Sequence, residues 1–316
     1  MLETASPESA ELAALFWILT GLTLVPALLY LAVALATALL ARARARHDDP
    51  DLAAPPPLRP RAGLVPLVVA GALIPTALIV LAFVFTLRTG ARVDPPRGEP
   101  VMTIDVVAHQ FFWEVIYPDH GVEIANELYV PIGQPVRLRL TSADVIHAFW
   151  VPRLTRKLDM TPGHVTELVL QADHADVYRG QCYELCGLQH ALMAFDVIAV
   201  PPEALERWLT ERRVPRTEPA DALAAEGLDV YFRARCDHCH AIRGVVPPAR
   251  VGSPGPDLTH LASRRTLAAG VLPNDRGHLG GWILDPQALK PGARMPPTAL
   301  EPRELHALLH YLGGLR

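Results

Sequence analysis

The 316-residue chain has four cysteines, and they fall into two close pairs set among other metal-ligand residue types. Cys182 and Cys186 stand in the run Cys182-Tyr183-Glu184-Leu185-Cys186-Gly187-Leu188-Gln189-His190-Ala191-Leu192-Met193. Two thiolates, an imidazole and a thioether form a soft donor set, which selects copper over hard cations. Cys236-Asp237-His238-Cys239-His240 is the c-type haem attachment signature, two thiols for the vinyl groups and a histidine for the iron. Two electron carriers on one chain imply a relay.

A further donor lies upstream of the first pair. His147, in Ser142-Ala143-Asp144-Val145-Ile146-His147, precedes the cysteine loop by about 35 residues, a separation consistent with a ligand arriving from another strand. Cysteines four apart in a loop can both turn inward and share two metals through bridging sulfurs, with His190 and Met193 spaced so that the loop wraps round the cluster. Three plainer readings compete. A Cys182–Cys186 disulfide leaves His147, His190 and Met193 unexplained. Zinc is disfavoured by the methionine, and a mononuclear blue-copper site needs only one cysteine.

For the second pair, His240 is the expected proximal iron ligand. Met295, the only methionine after position 193, is the expected distal ligand, because His/Met coordination raises the potential of an electron carrier. It lies in the irregular segment Arg294-Met295-Pro296-Pro297. Trp282 is read equally as a hydrogen-bond donor to a haem propionate or as a packing residue. A zinc half-site lacks the second cysteine pair that would complete it, and a redox dithiol gains little from the trailing histidine. Met102, Met160, His109, His120, His164 and His174 fit no ligand spacing and read as packing or solvated residues.

Positioning these groups takes scaffolds of different kinds. Over 101–201 the sequence turns to short alternating stretches, such as Val136-Arg137-Leu138-Arg139-Leu140-Thr141, punctuated by Pro and Gly; this predicts an all-β domain, a small antiparallel sandwich or barrel with ligands in loops at one end. Over 202–220, Glu203–Arg212 reads as a helix leading into a Pro- and Glu-containing linker. From 221 to 316, helical patterns at Leu223–Arg235 and Pro302–Leu312 predict a small all-α domain whose last helix packs near its first. Its core alone is marginal, so a covalent haem helps to hold it together.

Residues 1–100 are of another class. The runs at about 12–40 and 62–87 carry no charge and exceed the roughly 20 apolar residues that cross a bilayer; Pro26, Pro66 and Pro75 are tolerated there. Glu3, Glu8 and Glu11 precede the first run and no Lys or Arg occurs before Arg42, which favours a retained helix over a cleaved signal. Arg42, Arg44, Arg46, Arg59 and Arg61 place the intervening loop in the cytoplasm. Both termini and both cofactor domains then lie on the periplasmic side of a bacterial inner membrane. The net charge of -4 with no long basic patch argues against nucleic acid as a partner.

The pattern Cys182-x-Glu184-x-Cys186-x3-His190-x2-Met193, with Asp144-Val145-Ile146-His147 ahead of it, resembles the CuA domain of cytochrome c oxidase subunit II, a cupredoxin fold behind two transmembrane helices. The resemblance covers about the first two hundred residues. Gly255-Pro256-Asp257-Leu258 and Trp282-Ile283-Leu284-Asp285-Pro286-Gln287 resemble the class I cytochrome c domain fused to subunit II in caa-type oxidases. What this implies is a dicopper centre bridged by Cys182 and Cys186, with His147 and His190 each on one copper and Met193 and the Glu184 carbonyl as weak axial ligands. It further implies a magnesium ion shared with subunit I through the Glu184 side chain. Phe111, in Gln110-Phe111-Phe112-Trp113, replaces the tryptophan through which family members accept electrons from soluble cytochrome c. Val68 stands where the family often has an acid at the mouth of a proton channel, so that role is not carried over.

The expected function is that of the electron-transfer subunit of a haem-copper terminal oxidase. Electrons pass from the tethered haem to the dicopper centre and on to subunit I, for oxygen reduction coupled to proton pumping. Subunit III and an upstream donor, cytochrome c or another, are the other expected partners. Competing readings are the electron-accepting subunit of a nitric oxide reductase and a stand-alone membrane-anchored shuttle or copper-handling protein.

Overall fold

The computed structural model describes residues 3–45, 64–93, 99–214, 218–246 and 255–316. The apolar runs form two long helices, α1 (Pro7–Ala45) and α2 (Leu64–Val93). Both extend past the charge-free stretches, because Glu8, Glu11, Arg88 and Arg92 are sound helix formers that the lipid excludes and the helix does not. Neither Pro26 nor Pro75 ends its helix. Leu29 is 65% exposed and Phe83 61% exposed, apolar surface of the kind that lipid covers. The loop arginines Arg46, Arg59 and Arg61, and residues 215–217 of the expected linker, lie outside the described residues.

Alternation builds the next region. In β5 (Val136–Ser142), Val136, Leu138 and Leu140 point into the core while Arg139 is exposed, and in β1 (Thr103–His109) Ile104, Val106 and Ala108 do the same. These strands belong to a five-stranded sheet of order β3-β2-β1-β5-β8, with β2 at Phe112–Tyr117, β3 at Val122–Ala125 and β8 at Thr166–Leu170. A second five-stranded sheet has the order β4-β10-β9-β6-β7, comprising Glu127–Pro131, Ala194–Val200, Asp176–Cys182, His147–Trp150 and Leu158–Met160. The sandwich is not purely antiparallel. β1 pairs with β5 and β10 with β4 in parallel. Local alternation reports which face a residue takes and carries no information about partner direction.

Residues just ahead of α1 join this sandwich. The Ala5 N–H donates to the Arg153 carbonyl at 2.9 Å, the Asp173 N–H donates to the Ala5 carbonyl at 2.9 Å, and the Arg156 N–H donates to the Glu8 carboxylate at 2.8 Å. Ser6 donates its hydroxyl to the Leu154 carbonyl.

Beyond α3 (Pro202–Arg213), the carboxy-terminal region is helical, with α4 (Ala222–Arg233), α5 (Arg276–Leu284), α6 (Pro286–Leu289) and α7 (Pro302–Gly313). A two-stranded hairpin, Thr266–Leu267 with Leu272–Pro273, is its one departure from an all-α description among the described residues. α4 and α7 cross so closely at Gly227 that a Cβ there would come within 2.2 Å of the Ala307 carbonyl oxygen. Leu308 and Leu312 of α7 are buried in the domain's core, whereas Leu305 is only partly so. The sandwich, the amino-terminal segment and the helical domain form one compact unit, and residues 10–95 form another.

Candidate functional site

β9 ends at Cys182, and the loop that follows folds back to Met193 at the start of β10. The Cys182 N–H donates to the Met193 carbonyl at 3.0 Å, which closes the loop at its base. Inside it the two sulfurs lie 3.7 Å apart, too far for the ~2.05 Å of a disulfide and near enough to share metals. None of the four cysteines is disulfide-bonded.

His147 opens β6 and is fully buried, with Nδ1 3.7 Å from the Cys182 sulfur; His190 Nδ1 lies 3.9 Å from the Cys186 sulfur. The ligand atoms of His147, Cys182 and Cys186 all fall within 4.8 Å of one another, and His190 joins them through Cys186. One imidazole attends each sulfur, the arrangement that two metals bridged by two thiolates require. The Glu184 carbonyl oxygen approaches the Cys182 sulfur at 3.3 Å, and Met193 is fully buried.

Protonation supports the same reading. A hydrogen bond from Cys186, aided by one from His147, outweighs burial and draws the Cys182 thiol down to about 3, while that bond and burial push Cys186 up. One thiolate is readily held, and a second needs cations between the sulfurs. The donor set therefore fits a copper pair.

The Asp144 carboxylate accepts a hydrogen bond from His147 Nε2 at 2.8 Å, which leaves Nδ1 free to face the sulfur. Burial raises the Asp144 carboxyl, but the His147 bond and the backbone N–H groups of Val145 and Gln110 outweigh it and bring it to about 2. Asp144→Asn should weaken copper binding about 10- to 100-fold, measured by competition with a chelator. An unchanged affinity would remove Asp144 from the site.

The haem residues converge separately. A left-handed Arg235 (φ 59°) ends α4 and turns the chain into the single helical turn Cys236–His238. Cys236, Cys239, His240 and Met295 line one cleft together with Trp282, and apolar residues such as Leu279 and Ile283 complete its walls. His240 Nδ1 donates to the Pro256 carbonyl at 2.8 Å, which frees Nε2 for iron, and burial holds the imidazole below the ordinary histidine range. Gly255 is required beside it, since a Cβ would stand 2.6 Å from His240 Cε1. Arg264 lines the cleft with a buried Nε that has no partner, a seat suited to an acidic group. These features fit a haem held through Cys236 and Cys239.

Sequence reasoning missed the fourth wall of this cleft. Gln110, Phe111, Phe112 and Asn126 belong to the sandwich and face the haem residues. The carboxylate of Glu184 has a partner of its own, Lys157 Nζ at 2.7 Å.

Comparison with known proteins bears on both regions. The family model described as cytochrome c oxidase subunit II, periplasmic domain, matches residues 120–200, and the one described as cytochrome c matches residues 224–316. Cytochrome c oxidase subunit 2 of Alkalihalophilus pseudofirmus is 35% identical over 261 residues, covering 80% of this chain and 74% of that protein. The same-named protein of Bacillus sp. PS3 is 30% identical over 259 residues, covering 77% of this chain and 72% of its own length. The crystal structure of the periplasmic domain of subunit II of cytochrome oxidase from Bradyrhizobium japonicum is 30% identical, with a TM-score of 0.36, and covers 37% of this chain and 96% of that one.

Proposed function

The chain belongs to the cytochrome c oxidase subunit II family, and on that premise we propose that it receives electrons on its carboxy-terminal domain and passes them by way of the cysteine loop to subunit I, where oxygen is reduced to water and protons are pumped. The observation that carries this reading is the single compact unit that holds both the cysteine loop and the haem-residue cleft, with sandwich residues forming one wall of that cleft. Copper and haem c, when bound, supply one-electron redox chemistry with little rearrangement of their ligands.

The chain's own residues do the rest. Cys182, Cys186, His147 and His190 would hold the copper pair, with Met193 and the Glu184 carbonyl as weaker donors. Asp144 and the Pro256 carbonyl orient the imidazoles of His147 and His240. Cys236 and Cys239 would hold the haem covalently, and His240 and Met295 would ligate its iron. The Glu184 side chain is assigned to magnesium at the boundary with subunit I. In this chain alone Lys157 occupies that carboxylate, so the ion has to displace the lysine.

Subunit III and an upstream donor such as cytochrome c complete the proposed partners. The proposed topology is a hairpin across the bacterial inner membrane with both termini outside. Its support is that residues 5–9 pack into the sandwich, so the chain entering the first span starts on the same side as the domain that follows the second.

Purification is the test. The chain is expected to co-elute with a large haem-containing subunit and to display a c-type optical band together with a mixed-valence dicopper EPR signal. Elution alone, without that signal, would overturn the assignment. Met295→Ala should leave haem attached and shift its potential downwards in a redox titration, and an unchanged potential would mean that Met295 is not axial.

A further inference from the structure

The segment that leads to Met295 is docked on the copper side of the molecule. Gln189 donates its side-chain amide to the Pro291 carbonyl. Gly292 adopts φ +87°, and a Cβ there would come within 2.8 Å of Leu188 Cβ, so only glycine lets the segment lie this close to the cysteine loop. Gln189 is 1% exposed, so its side of the contact is buried, while Leu188 and Pro291 face outward. Arg294, next to Met295, donates to the side-chain oxygen of Gln110, and its guanidinium lies 4.0 Å from the Asp144 carboxylate.

Gln110 and Asp144 each reach a proposed copper ligand. Gln110 donates its side-chain amide to the Cys186 carbonyl and its backbone N–H to Asp144 at 2.6 Å; Asp144 in turn holds His147 at 2.8 Å. Arg294 is therefore one residue from the proposed iron ligand and one further contact from both sides of the copper cluster. An arginine suits this place, since its rigid planar fork is pre-organised for two fixed acceptors, whereas lysine offers a point charge on a flexible stem.

We propose that Arg294 is a positioning residue that clamps the Met295 segment to the copper-side loops, so that copper occupancy tightens the hold of Met295 on the haem iron. Metal bound at Cys186 and His147 fixes the carbonyl and the carboxylate on which Gln110 and Asp144 depend, and these form the dock for Arg294. Coupling of this kind is reciprocal, so ligation by Met295 strengthens copper binding by the same factor. The inference rests on the assignment of Met295 and of the copper ligands given above.

Imidazole, which competes with a methionine for ferric haem, reads the hold of Met295 without reference to turnover. The full-length haem-loaded chain in detergent is titrated with imidazole, once with its copper and once after copper removal. Wild type is expected to bind imidazole roughly tenfold more weakly when copper is present, within the usual range of coupling between sites. Arg294→Ala should abolish the copper dependence and Arg294→Lys should retain part of it. Arg294 is about half exposed, so its loss leaves the core intact, and the dicopper EPR signal of the variant verifies that the copper site persists. Met295→Ala should bind imidazole tightly with or without copper. Copper-independent binding by wild type, with Met295→Ala still tight, overturns the coupling and leaves the ligand assignment standing. Met295→Ala binding no tighter than wild type overturns the ligand assignment, and the coupling falls with it.

Discussion

Cys186→Ser should reduce the copper content from two ions per chain to one at most and lower oxidase turnover by on the order of 100-fold or more. The expectation follows from the geometry of the cysteine loop. With the sulfurs 3.7 Å apart and one imidazole beside each, Cys186 links the His190 imidazole to the group formed by His147 and Cys182. A serine oxygen is harder and keeps its proton near neutrality, so it neither bridges two coppers nor balances their charge. What remains is a Cys182–His147 pair able to hold a single metal. Metal analysis and the EPR spectrum decide the matter, since retention of two coppers with an unchanged mixed-valence signal would refute the bridging role. Leu185→Ser is the natural control, because the Leu185 side chain is 79% exposed in the same loop.

The second large effect concerns the helical domain. Replacing both Cys236 and Cys239 with alanine should leave haem extractable by acidified acetone and make residues 221–316 at least about tenfold more sensitive to protease, with the sandwich still resistant. The cleft runs through the domain's own core, for Leu258, Leu261, Leu279, Ile283, Leu308 and Leu312 belong both to its walls and to the buried cluster. Without the porphyrin these side chains face each other across a gap, in a domain too small to tolerate losing part of its core. On the proposed attachment, thioether bonds would keep the cofactor with the chain even in the unfolded state, which is why both cysteines are replaced. A variant whose helical domain resists protease as wild type does would show that the helices stand without covalent haem.

Much of this was legible in the residues. The residues that the structure gathers round the two cysteine pairs, His147 and His190 at one and His240 and Met295 at the other, stand out in the sequence because metal chemistry demands few residue types at constrained spacing. The spans, strands and terminal helices were readable because apolar periodicity is local. Long-range partners were not. The parallel pairing of β1 with β5 depends on how the chain returns, and nothing in either strand encodes its direction. Phe111 and Phe112 looked like members of an altered motif, and their place on the haem cleft emerged only when residues more than a hundred positions apart were brought together. Asp144 stands three residues before His147, yet its task is visible only in the bond to Nε2. Lys157, one of two lysines in the chain, gave no sign that it would hold Glu184.

The backbone bonds of Ala5 to Arg153 and Asp173 bear on how the chain is made. Ala5 leaves the ribosome about 150 residues ahead of those partners, with both long helices made in between, so on the proposed topology it pairs with them only after both helices have been inserted. On that topology the segment around Ala5 crosses the membrane ahead of the first helix and waits there unpaired. The sandwich is then completed by a segment delivered separately from the rest of its strands, and a bulky domain inserted just ahead of Ala5 would hinder both the crossing and the closure.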